Sequence, residues 1–309
     1  MGYSVNPSAM LGAIRDWCLE NFSGGGGGGG SSKKLITTKA RPKYYDSSIV
    51  QKSWTGLQNF SGRDIWTDGE NIYYSSGSTQ KVLNKSDGTW EDKTWNGITL
   101  SHLIGSYIWT DGDDIYCSAQ GNNYVLNKET STWSQKTWTG LSGTLYPQYI
   151  WTDGKDIYYS YYHSQYVLDK ATSTWSAKTW SGHTDFDGNT IWTDGENIYL
   201  SNWGDHYVLD KATSTWSQKT WNGLGEYDGF YGYYIWTDGN DIYLSNGSSQ
   251  YVLDKPTSTW ITKGWKIGGV IYPYLEFDAE NVWTDGTNIY QNSSSGTTFQ
   301  IITKVSNIY

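Results

Sequence analysis

The chain has 309 residues, enough for one large or two ordinary domains with a sizeable core. Aromatic residues make up 17% of it and charged residues also only 17%, with a net charge of −9. Residues 1–46 hold six Lys or Arg against three Asp or Glu, a net +3, which leaves −12 for residues 47–309. Because an acidic body repels phosphate backbones, we expect no nucleic-acid partner.

The two cysteines, Cys18 and Cys117, are too few for a disulfide framework, so the fold must depend on packing alone. Asp16 and Glu20 interrupt the apolar character of the N-terminus. We therefore expect no signal peptide and no membrane span, and synthesis in a cytoplasm.

Residues 1–46 predict an arm in two parts. Asn6 and Pro7 form a helix-start pattern, so residues 1–22 are expected to be an amphipathic helix. Its anchoring face holds Leu11, Ile14, Trp17 and Cys18. Residues 23–46 combine a glycine run, typical of a flexible linker, with a basic stretch that we interpret as a solvated charge run. A helix on such a linker favours an anchor in a separate assembly, with packing against its own domain as the alternative.

From residue 47 onward the chain repeats itself. The sequence IWTDG, or VWTDG in the last copy, recurs at steps of 43, 42, 41, 44 and 47 residues. The copies begin at Ile65, Ile108, Ile150, Ile191, Ile235 and Val282. A period in the low forties with short strand-like segments is typical of propeller blades.

Each copy predicts four strands, as in IWTDGENIYLSNWGDHYVLDKATSTWSQKTW (191–221). IWT is the first strand, and the Asp-Gly that follows favours a hairpin turn. IYLS is the second strand, YVLD the third, KATST a turn and WSQKTW the fourth strand. Because the tryptophans recur at matching strand positions, a packing role is predicted for all of them except Trp17 and Trp203.

The sixth copy ends before a fourth strand, but SIVQKSWTGL (48–57) precedes the first copy and matches one. We therefore expect this N-terminal strand to complete the C-terminal blade and close a ring, which removes exposed strand edges. The predicted domain is an all-β, six-bladed β-propeller of four-stranded blades over residues 47–309.

The repeats resemble those of the kelch family. YVLDKATSTWSQKTW (207–221) is similar to the second half of a kelch repeat and DGENIYLS (194–201) to the first half, and the likeness extends from about Ile49 to Tyr309. The chain differs at the family's glycine pair after the second strand, where it has pairs such as Ser75-Ser76. The resemblance implies a kelch-like scaffold for binding.

Comparison of the copies separates two faces of the predicted ring. The turns between strands one and two and between strands three and four barely change, whereas the turns between strands two and three and the links between blades vary and hold all four histidines. In a four-stranded meander the two variable classes emerge on one face, which is typical of a recognition surface, with loop drift as the alternative. The candidate ligand-binding residues are Tyr161, Tyr162, His163, Trp203, Asp205, His206, Tyr227, Tyr231, Tyr272 and Tyr274.

No sequence pattern indicates catalysis. The predicted ring has a single arginine, Arg63, which argues against a sialidase-type site, and no close-spaced ligand pattern supports a metal. TDGEN and TDGDD lack the alternating acidic run of a calcium loop and are interpreted as hairpin turns. We expect no catalytic residue, no metal and no cofactor.

Aromatic loops on a neutral-to-acidic surface suit host-surface carbohydrate or a protein receptor. Near-identical blades, a detached anchor and the lack of a secretion signal resemble bacteriophage fibre or spike proteins, which leave the host by lysis. We therefore expect an oligomeric, virion-attached recognition protein held to the particle by residues 1–22. The alternatives are a virion decoration protein without a receptor role and a scaffold in the bacterial cytoplasm that binds a protein partner.

Overall fold

The computed structural model describes residues 47–57, 64–119, 121–141, 144–186, 190–202, 204–224, 235–238, 241–246, 249–267, 270–272, 282–292 and 298–303. The predicted helix over residues 1–22 and the linker over residues 23–46 lie outside these ranges, and so do Leu11, Ile14, Trp17 and Cys18. Among the described residues, no helix combines the length and the apolar character needed to span a bilayer.

Five antiparallel sheets of four strands follow one another along the chain, and we name them blades I to V. Blade I holds β2 (Ile65–Thr67), β3 (Ile72–Ser76), β4 (Thr79–Asn84) and β5 (Thr89–Asp92), and blade II holds β6 (Ile108–Thr110), β7 (Ile115–Ala119), β8 (Asn122–Asn127) and β9 (Thr132–Gln135). Blade III holds β10 (Ile150–Thr152), β11 (Ile157–Tyr161), β12 (Ser164–Asp169) and β13 (Thr174–Ala177), and blade IV holds β14 (Thr190–Thr193), β15 (Ile198–Asn202), β16 (Asp205–Asp210) and β17 (Thr215–Gln218). Blade V holds β18 (Ile235–Thr237), β19 (Ile242–Asn246), β20 (Ser249–Asp254) and β21 (Thr259–Thr262).

A sixth sheet has six strands and contains both ends of the described chain. Its strands are β1 (Ser47–Lys52), β22 (Trp265–Ile267), β23 (Val270–Tyr272), β24 (Val282–Thr284), β25 (Ile289–Asn292) and β26 (Thr298–Thr303). The described helices are short 3-10 turns in the loops, at Leu100–His102, Gly105–Tyr107, Pro147–Tyr149 and Lys255–Thr257. The structure is therefore an all-β propeller of four-stranded antiparallel blades, as the repeat predicts.

The Asp-Gly segments form hairpin turns that bind their own polar groups. In blade I, Asp68 Oδ1 accepts the backbone N–H groups of Glu70 and Asn71 at 3.0 and 2.7 Å. Asp68 Oδ2 accepts the Tyr73 hydroxyl at 2.8 Å, and burial together with this carboxylate raises the pKa of that hydroxyl. The same hydroxyl–carboxylate pair recurs at Tyr116–Asp111, Tyr158–Asp153, Tyr199–Asp194, Tyr243–Asp238 and Tyr290–Asp285. These aspartates therefore stabilise turns, as the hairpin interpretation predicts.

Neighbouring blades pack through groups of three tryptophans. Between blades I and II, the rings of Trp66, Trp95 and Trp133 contact one another, with centroid distances of 5.6, 6.0 and 6.0 Å. The equivalent groups are Trp109–Trp138–Trp175, Trp151–Trp180–Trp216, Trp192–Trp221–Trp260 and Trp283–Trp54–Trp90. Full burial of one such side chain stabilises the fold by roughly 1.5–3 kcal/mol. The predicted packing role is confirmed for the tryptophans in these groups.

The first-strand tryptophans explain the serine near the end of each second strand in blades I to V. The indole Nε1–H of Trp66 donates to the buried Ser75 hydroxyl at 2.9 Å. The same bond joins Trp109–Ser118, Trp151–Ser160, Trp192–Ser201 and Trp236–Ser245, and Asn292 accepts from Trp283 in the sixth sheet. A glycine at the serine position would leave a buried indole donor without this acceptor.

In blades I to IV, a lysine just after the fourth strand forms a hydrogen bond to the next blade. Lys93 Nζ lies 4.7 Å from the Trp95 ring centroid and donates to Ser131 Oγ of the following blade at 2.7 Å. The same hydrogen bond joins Lys136–Ser173, Lys178–Ser214 and Lys219–Ser258. The turns between the third and fourth strands thus carry the contacts between blades, which explains their uniform sequence.

The N-terminal strand pairs where the sequence predicts it. β1 is antiparallel to β26 from Ser47↔Thr303 to Lys52↔Thr298, so the two ends of the described chain share one sheet. On its other side β1 is parallel to β22, with Ser48 opposite Lys266. In the full order β23-β22-β1-β26-β25-β24, the last four strands repeat the arrangement of a blade.

Candidate functional site

The repeated face of the propeller is occupied by contacts between blades. Lys128 in the last turn of blade II donates to the Asp68 carbonyl in the first turn of blade I at 2.9 Å. The same bond joins Lys170–Asp111, Lys211–Asp153 and Lys255–Asp194. A polar network of this kind explains the constancy of both turn classes without a ligand.

The two variable loop classes meet on the opposite face, as predicted. Gln80, which follows the turn between β3 and β4, donates from Nε2 to the Leu103 carbonyl in the link to blade II at 3.1 Å. The Phe186 N–H in the link to blade IV donates to the Tyr162 carbonyl at 3.3 Å. Links and turns thus form one variable surface.

Five tyrosines come together on this surface in blade III, and we call them the tyrosine cluster. They are Tyr146, Tyr149, Tyr159, Tyr161 and Tyr162. The ring of Tyr161 is central, with centroids 5.4 Å from Tyr146, 5.0 Å from Tyr149, 6.2 Å from Tyr159 and 4.6 Å from Tyr162. Tyr146 is 40% exposed and Tyr162 46%, so two rings present their surfaces to solvent while the others support them.

The backbone positions the cluster from two directions. The link before β10 supplies Tyr146 and, in its 3-10 turn, Tyr149, whereas β11 supplies Tyr159 and Tyr161. The Tyr159 hydroxyl donates to the Thr144 carbonyl at 3.3 Å, which ties the strand to the link. Neither Tyr149 nor Tyr159 was predicted for the site, because each looks like an ordinary packing residue of its segment.

Two hydroxyl groups of the cluster have raised pKa values. Desolvation, followed by the neighbouring tyrosines, raises the pKa of the Tyr161 hydroxyl. Burial likewise raises the pKa of Tyr159. The hydroxyl groups of Tyr159 and Tyr161 therefore stay protonated and can donate hydrogen bonds.

Tyr162 has a backbone conformation that L side chains rarely adopt. Its φ is 50°, and the register that pairs Tyr161 with Ser164 places it where blade I has Gly77, whose φ is 56°. A non-glycine residue in this left-handed region costs about 1–3 kcal/mol. The other described non-glycine residues with positive φ are Ser131, Ser173, Ser214 and Ser258, which belong to the lysine contacts between blades. At Tyr162 the positive φ belongs instead to the two-residue hairpin loop between β11 and β12, a position that favours glycine.

Polar groups border Tyr162. His163 Nδ1 lies 3.9 Å from Asp185 Oδ1, and both side chains are mainly exposed. The neighbouring His183 is hydrogen-bonded through Nε2 to the Asp185 carbonyl and packs on Tyr207, with ring centroids 4.3 Å apart. Within the described ranges, no three His, Cys, Asp or Glu side chains converge as metal ligands do.

The predicted residues of blade IV separate into different environments. His206 is buried and pairs with Ser201 as Gln165 pairs with Ser160, so we assign it to the blade rather than to the ligand surface. Burial lowers its pKa to about 4, against a smaller opposing effect of Asp205. Asp205 itself is exposed at the start of β16.

The structure thus brings Tyr161, Tyr162 and His163 together and describes Asp205 and His206 in blade IV. Tyr272 is the last residue of β23, and nothing is described of its side chain. The other predicted ligand-binding residues, which lie outside the described ranges, are Trp203, Tyr227, Tyr231 and Tyr274.

The fold and this surface define the class of the protein, a β-propeller with one aromatic, variable face. Comparison with protein-family models finds none that matches the chain, and comparison with curated proteins finds no match either.

Two solved structures are similar in fold. One is the extracellular domain of the putative one component system BT4673 from B. thetaiotaomicron, with a TM-score of 0.45, 12% identity and coverage of 78% of this chain and 34% of that chain. The other is the extracellular domain of the putative hybrid two component system BT4673 from B. thetaiotaomicron, with a TM-score of 0.45, 12% identity and coverage of 77% and 33%. This chain therefore spans about a third of the length of the structures it matches.

Proposed function

We propose that this protein is a non-catalytic binding module that recognises carbohydrate or protein on a host surface through the tyrosine cluster. The observation that carries the proposal is the exposure of two rings that contact Tyr161: Tyr146, in the link before β10, and Tyr162, at a turn where blade I has Gly77. Aromatic side chains held rigid in this way bind with little loss of conformational freedom.

We propose no catalytic role for the cluster. The raised pKa values of Tyr161 and Tyr159 make these two hydroxyl groups poor nucleophiles and poor bases. Neutral rings with hydroxyl groups suit recognition of a ligand better than bond breaking.

We infer that the sixth sheet is a sixth blade and that the ring is closed. Lys266 follows Trp265 and pairs in parallel with Ser48, just as Asn96 follows Trp95 and pairs in parallel with Thr132. The contact of Trp54 with Trp283 and Trp90 repeats the packing found between the other blades. Register and packing both support a closed six-bladed ring as the rigid support for the variable face.

We propose that the helix over residues 1–22 attaches the ring to a bacteriophage particle as an oligomeric fibre or spike protein. The support is the sequence of the arm, in which an amphipathic helix is followed by a glycine run. Virion decoration without a receptor role and a protein-binding scaffold in the bacterial cytoplasm are the competing functions.

The binding function is tested with the full chain on an array of immobilised oligosaccharides and on a panel of bacterial cells. We expect saturable binding to at least one glycan or one cell type. The absence of binding on both supports would contradict a recognition role, and attachment to particles without such binding would establish decoration instead.

The virion location is tested by fractionating phage particles and probing for the chain. We expect co-purification with particles, and its loss when residues 1–22 are deleted. Recovery only in the bacterial cytoplasm, in complex with a protein, would favour the scaffold function.

A further inference from the structure

We infer that Tyr162 is the specificity-determining residue of a carbohydrate site on blade III, where it stacks on a sugar that carries no carboxylate. This inference rests on the proposed binding function and names its ligand class.

The backbone of Tyr162 is held in its left-handed conformation by two donors. Gln165 Nε2 and the Phe186 N–H both donate to the Tyr162 carbonyl, at 3.1 and 3.3 Å. Gln165 and Phe186 are buried, so both donors are themselves fixed. In blade I, Gln80 Nε2 makes the first of these bonds to Gly77 at 2.7 Å. The turn therefore has a conformation that favours glycine, and Tyr162 adopts it at a cost in backbone strain.

The ring of Tyr162 is also fixed before any ligand arrives. It meets Tyr161 edge to face, with centroids 4.6 Å apart and planes at 88°. Tyr161 in turn contacts Tyr146, Tyr149 and Tyr159. A strained backbone that presents a supported, half-exposed aromatic ring is the pattern expected of a preorganised ligand contact.

Two exposed rings, Tyr146 and Tyr162, form the apolar part of the described surface at the cluster. A stable protein interface needs about 20–30 residues on each side. In the described part of the chain, the other exposed large apolar side chains are Val50 and Leu100, outside the cluster. A sugar needs less, because its C–H face stacks on an aromatic ring while its hydroxyl groups bond to nearby polar side chains.

Charge narrows the ligand class. His163 and Asp185 are mainly exposed beside Tyr162 and can bond to sugar hydroxyl groups. The Asp185 carboxylate and the net −12 of residues 47–309 repel an anionic sugar. Neutral or amino sugars therefore fit this site, whereas sialic and uronic acids do not.

The test compares Tyr162→Gly, which introduces the residue that blade I has, with a matched control. Ser131→Gly also places a blade I residue, the equivalent of Gly88, at a position of positive φ, but on the repeated face. The full chain and both variants are applied to arrayed oligosaccharides, and affinity for the strongest neutral or amino glycan is then measured by calorimetry. Thermal unfolding is recorded for each protein.

We expect Tyr162→Gly to retain or raise the Tm and to lose about tenfold or more in affinity, with Ser131→Gly binding as the wild type does. Unchanged glycan affinity in Tyr162→Gly would overturn the inference and leave the proposed function standing. A wild type that binds only carboxylated glycans, or binds cells in a way abolished by protease and not by periodate, would also overturn it. Absence of binding to glycans and cells would overturn both.

Discussion

At the residue scale, the glycine two positions after the tryptophan that follows the fourth strand, as Gly97 follows Trp95, decides how blades I and II meet. Asn96 pairs in parallel with Thr132 of blade II, and Gly97 then turns the chain away with a φ of 75°. A Cβ on Gly97 would lie 2.0 Å from the Trp133 carbonyl oxygen, which is backbone and cannot move aside. The glycine is therefore required both by its φ and by the close approach.

Gly97→Ala is expected to destabilise the protein by about 3 kcal/mol or more, because a main-chain clash adds to the left-handed conformation. Gly112→Ala is the matched control, since Gly112 has a φ of 95° and open space around its Cα. It should cost only about 1 kcal/mol. Urea unfolding measures both, and equal losses would show that the close approach is unimportant.

His206 makes the stability depend on pH. Its pKa is about 4 in the fold and ordinarily about 6.5, so between these values the unfolded chain binds a proton that the native chain excludes. The free energy of unfolding is therefore highest above pH 6.5. It falls by about 2–3 kcal/mol in total as the pH is lowered to 4, because the unfolded chain gains the proton first.

His206→Gln, which introduces the residue of blades I, III and V, is expected to remove this dependence. The free energy of unfolding is measured in urea at pH 7, 6, 5 and 4 for both proteins. The wild type should lose stability relative to the variant as the pH falls. Parallel curves would show that His206 titrates normally and is not buried in solution.

Sequence comparison among the copies predicts the packing residues well and the tyrosine cluster only in part. Trp66 and its equivalents are predictable because the same contact is made in every blade. Tyr149 and Tyr159 are not, because their role depends on a link and a strand that are distant in the chain. His206 resembles a functional residue in the sequence, although its buried position is that of a glutamine.

At the element scale, one sheet pairs the two ends of the described chain. β1 lies between β26 and β22 and is hydrogen-bonded to both strands. Its Ile49 side chain is buried. The sequence predicts its pairing with β26 because 48–57 matches a fourth strand. It does not predict the β22–β23 hairpin, because the described parts of the other links between blades contain no such strands. In this link Ile267 stands where the first link has Gly97, and Ile267 belongs to a regular strand that pairs with β1 and β23.

Deletion of residues 1–53 is expected to lower the Tm by about 10 °C or more and to promote association, because β26 and β22 then present open edges. Deletion of residues 1–22 is the control and should leave the Tm unchanged. Calorimetry and light scattering after gel filtration measure both effects. A stable monomer without β1 would show that the pairing of β1 with β26 and β22 is dispensable. A lower Tm without residues 1–22 would show that these residues stabilise the folded domain.

At the scale of the whole molecule, the two faces of the propeller are distinguished by what their polar groups do. On the repeated face, lysines and aspartates bond blade to blade, as between Lys128 and Asp68. On the variable face, the backbone of Tyr162 carries strain and its ring is exposed. The proposed function therefore assigns binding to the variable face as a whole, which can be tested without knowing each contact.

β11 offers a matched pair of positions for this test. Lys155 precedes the strand on the repeated face with its side chain 87% exposed, and His163 follows it on the variable face with its side chain 76% exposed. β11 has five residues, so the two faces lie about 17 Å apart along this strand. Single cysteines are introduced at each position in a Cys18→Ser background and labelled with a polyethylene-glycol maleimide.

The remaining Cys117 stays unlabelled, because it is buried and desolvation raises the pKa of its thiol to about 12. We expect the bulky group at position 163 to abolish binding to glycans or cells and the same group at position 155 to leave it intact, since only the first covers the tyrosine cluster. Unlabelled cysteine variants control for the substitutions themselves. Inhibition by the label at position 155 alone would assign the ligand to the repeated face, and inhibition by neither would place it away from blade III.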